Sequence, residues 1–207
     1  MSSAEGIKMV LIGESAVGKT SIIKRFTSDK FEIDSLSSLS AQISSKEIEI
    51  NSQIYNLDIW DTAGQEKYRA LVKVFYKNSK AIILVYDITN QKTFYELKNY
   101  WFPQTKENSD KDVVYGLVGN KSDLYDKEEV NENEAREFAK EINAIFFLTS
   151  ALNKNGINDL FNQLAQKIVD PNFNHLKESN LNGNIHKNLK LTKNDTNSKK
   201  KGCCKNN

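Results

Sequence analysis

The strongest chemical signal in the sequence is a segment bounded by two glycines that follows the first apolar run. It reads Gly13-Glu14-Ser15-Ala16-Val17-Gly18-Lys19-Thr20, with the spacing G-x-x-x-x-G-K-[ST], and it opens a stretch of helical periodicity. The glycines permit a tight turn in which successive backbone N–H groups surround an anionic phosphate. We therefore predict that these eight residues bind nucleotide phosphates, that Lys19 reaches the β- and γ-phosphates, and that the Thr20 hydroxyl ligates Mg²⁺.

A second motif, Asp61-Thr62-Ala63-Gly64-Gln65-Glu66, follows a predicted strand. A carboxylate at the carboxyl end of a strand lies at the edge where open α/β sheets bind ligands, so Asp61 is predicted to hold the hydrated Mg²⁺. Gly64 allows its backbone N–H to approach the terminal phosphate. Gln65 is the predicted catalytic residue, because its amide both accepts and donates hydrogen bonds and can orient a water molecule for in-line attack.

Two further segments predict which base the nucleotide carries: Asn120-Lys121-Ser122-Asp123 and Thr149-Ser150-Ala151-Leu152. Guanine presents two adjacent donors, N1–H and N2–H₂, which the Asp123 carboxylate can accept together. Adenine would set this carboxylate against an acceptor, which is a costly mismatch. Asn120 is predicted to contact the base and brace the phosphate loop, Lys121 to cover one face of the base, and the Ala151 N–H to donate to guanine O6. Ser150 and Leu152 complete the predicted base site.

Each of these motifs follows an apolar run, and the runs alternate with stretches of helical spacing. The alternation predicts an α/β fold, a mostly parallel sheet with helices on both faces. The predicted strands are Ile7–Ile12, Ile54–Trp60, Ala81–Tyr86, Val113–Val118 and Ala144–Leu148. The predicted helices are Lys19–Phe26, Lys67–Tyr76, Gln91–Glu107, Asn131–Ile142 and Ile157–Val169. Ser45–Ile50, followed by Asn51-Ser52-Gln53, predicts a hairpin with an antiparallel edge strand, and Ser35–Ser45 predicts a mobile loop.

Charge divides the chain into two parts. The 207 residues carry +2, but residues 171–207 hold eight Lys against one Glu and one Asp, so this tail carries +6 and residues 1–170 carry −4. Both His and both Cys lie in the tail. Their absence from residues 1–170 excludes a Ser-His-Asp triad, a Cys nucleophile, a zinc finger and a disulfide framework there. We predict a flexible N-terminus (1–6), one nucleotide-binding domain (7–170) that does not bind nucleic acid, and a disordered basic tail (171–207).

These motifs resemble those of the Ras-like small GTPases over residues 7–170, and most of all those of the Rab branch. The resemblance rests on the phosphate loop, on Ile59–Glu66, on Tyr86-Asp87-Ile88-Thr89 and on Cys203-Cys204. It implies a six-stranded P-loop GTPase fold, Mg²⁺ as cofactor, and a monomer that is active with GTP and inactive with GDP. It further implies a role in vesicle trafficking and an exchange factor, an activating protein, an escort protein, a GDP-dissociation inhibitor and effectors as partners.

The resemblance also assigns residues in the first switch, the segment that would respond to the γ-phosphate. Phe31 would pack against the guanine nucleoside. Ser38 stands where the family has a threonine that binds Mg²⁺ and the γ-phosphate, and serine keeps the required hydroxyl. In this Ser-rich segment Ser37 or Ser40 could take the same place.

A hydrophobic surface for effectors is implied at Ile43, Trp60 and Phe75. Ile43 departs from the family, which has a phenylalanine at that position, so the identity of the effectors is open. Leu152 replaces the usual lysine beside the base, where the contact is mainly made by the backbone.

The tail predicts a membrane anchor. Lys199–Lys201 precede Cys203 and Cys204, and this resemblance implies that both cysteines carry geranylgeranyl groups. Two lipid chains give stable anchoring where one gives marginal binding, and each nearby Lys adds about 1 kcal/mol at an anionic surface. We predict a lipid-anchored protein on the cytoplasmic face of an intracellular membrane, with a soluble cytosolic pool.

Two alternatives remain at this point. One is a divergent GTP-binding module whose first switch does not close, so that it binds nucleotide without switching. The other is a P-loop kinase or ATPase, which would need a second substrate site and has no use for the Asn120–Asp123 motif.

Overall fold

The structure is a computed structural model that describes residues 6–31, 42–62 and 75–173. The chain divides into two compact units, Met1–Pro171 and Asn172–Asn207, and the described residues lie almost entirely in the first. Their strands are β1 (Ile7–Ile12), β2 (Gln42–Ile50), β3 (Gln53–Asp61), β4 (Ala81–Asp87), β5 (Val114–Asn120) and β6 (Ala144–Leu148). Their helices are α1 (Lys19–Ser28), α2 (Gln91–Glu96), α3 (Phe102–Asn108), α4 (Glu132–Glu141) and α5 (Ile157–Val169).

The six strands form one sheet in the order β2-β3-β1-β4-β5-β6. Only the β2–β3 pair is antiparallel, and the other four pairs are parallel. Every residue of β4 is buried, as expected for a central strand covered on both faces. The predicted α/β fold with a mostly parallel, six-stranded sheet is confirmed.

Two hydrophobic clusters lie on opposite faces of the sheet because successive side chains of a strand point to opposite sides. Met9 and Leu11 of β1 belong to the cluster that contains α1 and α5. Val10 and Ile12 belong to the cluster that contains α2 and α4. The sheet is therefore held between two helical layers, and the loops at its edges are carried by a rigid core.

The hairpin differs from its prediction in two details. Its connection has two residues, Asn51 and Ser52, both with positive φ (51° and 61°), and Gln53 already pairs with Ile50. Positive φ at both positions is the geometry that matches the right-handed twist of paired strands. The edge strand β2 also begins at Gln42, so residues 42–45 of the predicted loop Ser35–Ser45 belong to a strand, and residues 35–41 lie outside the described ranges. Pairing with β3 explains this extension, and the Ser45 hydroxyl donates to Asp58 Oδ1 at 2.6 Å.

The predicted helix Gln91–Glu107 was wrong in its middle, where a π-helical turn, Leu97–Trp101, separates α2 from α3. Pro103 lies at the start of α3 and has no N–H, and its ring would clash with the carbonyl of residue 99 in a regular α-helix. The chain widens instead, and the Phe102 N–H donates to the Leu97 carbonyl five residues back. This turn fixes the direction in which Trp101 faces.

Parts of the predicted organisation lie outside the described residues. They include residues 1–5, most of the predicted helix Lys67–Tyr76, and the tail from residue 174 onward. Among the described residues, no helix is both long enough and apolar enough to span a bilayer.

Candidate nucleotide-binding site

The candidate site lies at the carboxyl ends of the parallel strands. From β1 the chain first builds β2 and β3 on one side and then returns to build β4 on the other side, so β1 lies between β3 and β4. This reversal of direction is the place where open α/β sheets bind ligands. The phosphate loop follows β1, Asp61 ends β3, Asn120 ends β5, and Thr149 follows β6. The topology therefore brings the described residues of all three predicted motifs to one edge.

The phosphate loop packs too closely for side chains at either of its glycines. A Cβ at Gly13 would clash with the backbone carbonyl of Val85 in β4, and a Cβ at Gly18 would clash with the Asn120 amide. Gly18 has a φ of 97°, which only glycine adopts easily. The loop thus needs these glycines for its contacts as well as for its turn.

Lys19 lies at the start of α1 with only 6% of its surface exposed. Its ammonium donates to the carbonyls of Gly13 (2.9 Å) and Glu14 (2.8 Å), which holds it within the phosphate loop. Burial lowers the pKa of Lys19 to about 8, and the carboxylates of Asp61 and Glu14 offset part of this effect. A bound phosphate would add further negative charge and favour the protonated form of Lys19.

Thr20 and Asp61 meet although 41 residues separate them in the chain. The Thr20 hydroxyl donates to Asp61 Oδ2 at 2.6 Å, and Asp61 is 3% exposed. A hydroxyl and a carboxylate at this distance supply the hard oxygen ligands that Mg²⁺ prefers, while phosphates and water usually complete its shell. The chemistry of this pair therefore fits the predicted cofactor.

Asn120 joins the phosphate side of the site to the base side. Its Nδ2 donates to the Val17 carbonyl at 2.8 Å, and its Oδ1 accepts from the Thr149 hydroxyl at 3.1 Å. The residue is 2% exposed, so both polar ends of the amide are satisfied by protein groups. A single side chain therefore links the loops that follow β1, β5 and β6.

The base side of the site is held by a second set of bonds. The Ser150 hydroxyl donates to Asp123 Oδ1 and accepts from the Asn153 N–H at 3.2 Å. Lys121 adopts a left-handed conformation with a φ of 65°, and its ammonium forms an ion pair with Asp87 Oδ2 at 2.6 Å. These contacts fix the backbone on both sides of the Asp123 carboxylate.

Two further predicted residues of the loop after β6, Ala151 and Leu152, differ in solvent exposure. Ala151 is 5% exposed, whereas Leu152 is 51% exposed. The exposed Leu152 side chain is consistent with the prediction that any contact of this residue with the base is made by its backbone.

Other predicted residues are placed as follows. Trp60 and Phe75 pack with their ring centroids 5.4 Å apart, and Ile43 is opposite Trp60 in the β2–β3 register with 55% of its surface exposed. Phe31 is half-buried against the core cluster of α1 and α5. The residues outside the described ranges are Ser38, Gly64, Gln65, Cys203 and Cys204.

Two contacts at this edge were not predicted. The indole N–H of Trp101, in the π-helical turn, donates to Glu14 Oε1 of the phosphate loop at 2.8 Å. The Thr62 hydroxyl donates to the Leu11 carbonyl of β1 at 2.6 Å. Pro103, two residues after Trp101, was the available sequence signal for the irregular turn, but no local pattern predicts a bond across 87 residues.

Arg25, near the end of α1, was also missed. It donates to the backbone carbonyls of Ala151 and Leu152, 126 and 127 residues away. No role for Arg25 was predicted from the sequence, and the contact exists because α1 passes beside the loop after β6.

Comparison with known proteins agrees with this geometry. The model of the Ras family matches residues 8–170. Human Ras-related protein Rab-22A is 39% identical over 168 residues, which cover 81% of this chain and 86% of that protein. Ras-related protein RABA4b of Arabidopsis thaliana is 38% identical over 84% of this chain and 75% of its own length. GTP-binding protein ypt3 of Schizosaccharomyces pombe is 36% identical over 95% of both chains.

The phosphate loop, the sheet order and the residues at the strand ends define a P-loop GTPase. The chain belongs to the Ras family of small GTPases, in its Rab branch, and it is a GTP hydrolase. Family membership makes guanine nucleotides its ligands, and members generally use Mg²⁺ and act through regulators and effectors. The kinase or ATPase alternative is therefore not favoured.

Proposed function

We propose that this GTPase binds GTP and GDP with Mg²⁺ at the loops after β1, β3, β5 and β6, and that it regulates vesicle trafficking by recruiting effectors to a membrane. The Asn120 side chain is the observation that carries the nucleotide assignment. It bonds both to the phosphate loop and to the loop after β6, as a residue bridging the phosphate and base subsites would. The trafficking role rests on membership of the Rab branch.

The residues divide the work of binding according to their chemistry. The backbone N–H groups of Gly13–Thr20 and the Lys19 ammonium bind the phosphates. The Thr20 and Ser38 hydroxyls and Asp61 would hold Mg²⁺, which would supply positive charge at the terminal phosphates. Asp123 accepts from guanine N1–H and N2–H₂, and the Ala151 N–H donates to O6. Phe31 packs against the nucleoside.

Hydrolysis depends on orienting one water molecule. Gln65 accepts from and donates to this water, and the Gly64 N–H contacts the γ-phosphate. An arginine that stabilises the transition state contributes about 10³- to 10⁵-fold in phosphoryl transfer, and the sequence has no arginine in the phosphate loop or in residues 32–41. The protein therefore hydrolyses GTP slowly alone and needs a separate activating protein.

Switching is tested by comparing the two nucleotide states. The γ-phosphate is expected to order the segments around Ser38 and Gly64, because it adds contacts that GDP lacks. Protein loaded with a non-hydrolysable GTP analogue should therefore be cleaved more slowly there by a protease than the GDP form, as measured by time-resolved mass spectrometry. Nucleotide occupancy is verified by chromatography in both samples.

Equal cleavage of the two forms would contradict nucleotide-dependent switching. It would support the alternative of a divergent GTP-binding module whose first switch does not close. Equal competition by ATP and GTP for the site would instead support the kinase or ATPase alternative. Proteins that bind to the immobilised analogue-bound form are candidate effectors. Their binding to variants of Ile43, Trp60 and Phe75 then tests the proposed effector surface.

Membrane attachment is proposed to depend on Cys203 and Cys204. Changing both to Ser should move the protein from the membrane fraction to the soluble fraction of cells, because no lipid chain can then be attached. Each single Cys→Ser variant should give weak, reversible binding, since one chain is marginal and two are stable. Fractionation with immunoblotting measures this series. A double variant that stays in the membrane fraction would contradict the anchor.

The proposed cycle uses the partners that the family implies. An exchange factor replaces GDP by GTP, an escort protein presents the tail for lipid attachment, and a GDP-dissociation inhibitor maintains the soluble cytosolic pool. The protein then acts on the cytoplasmic face of an intracellular membrane. The basic residues Lys199–Lys201 add attraction to anionic lipids.

A further inference from the structure

Arg25 donates hydrogen bonds from all three nitrogens of its guanidinium group. Its Nε donates to the Ala151 carbonyl at 2.8 Å and its Nη2 to the Leu152 carbonyl at 3.0 Å. Its Nη1 donates to the Asp29 carbonyl at 2.9 Å and approaches the Asp29 carboxylate at 3.4 Å. The side chain is only 15% exposed. The planar fork of arginine thus holds two neighbouring carbonyls of one loop and the Asp29 carbonyl with three different nitrogens, a geometry that the single nitrogen of a lysine does not reproduce.

The loop that Arg25 holds is the loop after β6. From its other side, Ser150 is fixed by its N–H, which donates to the Asn155 carbonyl at 3.0 Å, and by its hydroxyl bond to Asp123. The carbonyls of Ala151 and Leu152 belong to the two peptide units that follow the Ala151 N–H. Fixing them restricts the backbone rotation at Ala151, and hence the direction in which that N–H points.

Helix α1 connects this contact to the other end of the site. It begins at Lys19 in the phosphate loop and reaches Arg25 within two turns, a rise of about 9 Å at 1.5 Å per residue. Beyond the helix, the Arg25 guanidinium lies 5.7 Å from the centre of the Phe31 ring, and Lys154 Nζ pairs with Asp29 Oδ2 at 3.0 Å. One helix therefore contacts the phosphate loop, the loop after β6 and Phe31.

We propose that Arg25 is a positioning residue for guanine recognition, which holds the loop after β6 so that the Ala151 N–H meets O6 and thereby lengthens the lifetime of the bound nucleotide. This inference rests on the proposed function, in which that N–H contacts the base. Arg25 itself touches neither the base nor the phosphates in this assignment.

The test compares Arg25→Gln and Arg25→Lys with the unchanged protein. Arg136→Gln is the matched control, because Arg136 is an exposed arginine that pairs with Glu132 within α4, outside the loops of the nucleotide site. The first measurement is the dissociation rate of a fluorescent GDP. Losing two charge-assisted hydrogen bonds in a partly solvated loop is expected to raise this rate about tenfold in Arg25→Gln. Arg25→Lys should give an intermediate rate, since it keeps the charge but has one nitrogen in place of the three that Arg25 uses. Arg136→Gln should give the rate of the unchanged protein.

The second measurement separates positioning from a merely structural role. The analogue 6-thio-GDP keeps N1–H and N2–H₂ but replaces O6 by sulfur, a weaker acceptor. The unchanged protein should prefer GDP, and this preference should narrow in Arg25→Gln because the donor to O6 is no longer held in place. Thermal unfolding of each variant confirms that it is folded at the assay temperature. If Arg25→Gln does not fold, the same two measurements on Arg25→Lys test the inference.

Either of two results would overturn the inference: a GDP dissociation rate within twofold of that of the unchanged protein, or faster dissociation with an unaltered preference for GDP over 6-thio-GDP. An unchanged protein that does not distinguish the two nucleotides would instead contradict the proposed contact of Ala151 with O6, and with it the inference. GDP that still dissociates slowly from that protein would leave the proposed nucleotide site intact.

Discussion

Replacing Asp123 with Asn is expected to transfer the preference of the protein from guanine to xanthine nucleotides. The carboxylate can accept from N1–H and N2–H₂ together, whereas an amide offers one acceptor and one donor. Guanine would then set its N2–H₂ against the amide N–H₂, while xanthine presents a carbonyl at that place. Sites built around such polar contacts discriminate by large factors, so GTP affinity should fall about 10³-fold or more.

Competition binding with GTP and XTP measures this change. Asp126→Asn is a matched control, because Asp126 lies in the same 3₁₀ turn, Ser122–Lys127, and is exposed. It should leave both affinities unaltered. The bond from the Ser150 hydroxyl to residue 123 can persist in Asp123→Asn, because the amide oxygen also accepts. Unchanged GTP affinity in Asp123→Asn would show that this carboxylate does not read the base.

Replacing Lys19 with Met should lower the affinity for GTP and GDP by about 10² to 10³-fold. The ammonium is buried in the phosphate loop, where it would pair with the bound phosphates. Removing one partner of a buried charge pair typically costs about 3–5 kcal/mol, here of binding free energy. Methionine keeps much of the length and apolar volume of the lysine stem. The loss is therefore due to the missing charge and hydrogen bonds, and isothermal titration with GDP and Mg²⁺ measures it.

The same variant separates binding from folding. Burial lowers the pKa of Lys19, which means that its charge is less favourable in the folded protein than in water. The nucleotide-free Lys19→Met protein should accordingly unfold at a temperature no lower than that of the unchanged protein. Lys140→Met, an exposed position in α4, is the control for the substitution itself. A lower unfolding temperature together with intact GDP affinity would assign Lys19 a structural role only.

Much of the fold was accessible from the sequence because its strands carry strong local signals. β1 and β6 have the predicted limits, and β3 differs from its prediction by one residue at each end. These strands are apolar runs that end at polar residues of the site. The start of β2 was missed because Gln42–Ser45 carries no such signal, and its strand conformation comes from pairing with β3.

The helices show the same division between local and tertiary causes. Asn131 caps α4 by accepting from the N–H groups of Asn133 and Glu134, and this helix is close to its prediction. The π-helical turn before α3 is imposed by Pro103, which the helical periodicity of the apolar residues does not register. Periodicity alone therefore predicts where a helix lies and misses how its turns are bonded.

What the sequence determined by itself is the chemistry of the site. The motifs at Gly13–Thr20, Asp61–Glu66 and Asn120–Asp123 are contiguous, so their residue types and spacing indicate phosphate, Mg²⁺ and guanine without any tertiary information. Charge likewise separates the acidic domain from the basic tail, because composition does not depend on the fold.

Only the tertiary structure decided how these motifs are held together. Asn120 bonds to Val17 across 103 residues, Trp101 to Glu14 across 87, and Arg25 to Ala151 across 126. Such contacts arise because parallel strands joined by crossover helices bring their carboxyl ends to one edge. No local pattern encodes which side chains meet there, since the partners are set by sheet order and helix packing. The residues that adjust the nucleotide site, Arg25 above all, therefore became visible only in the fold.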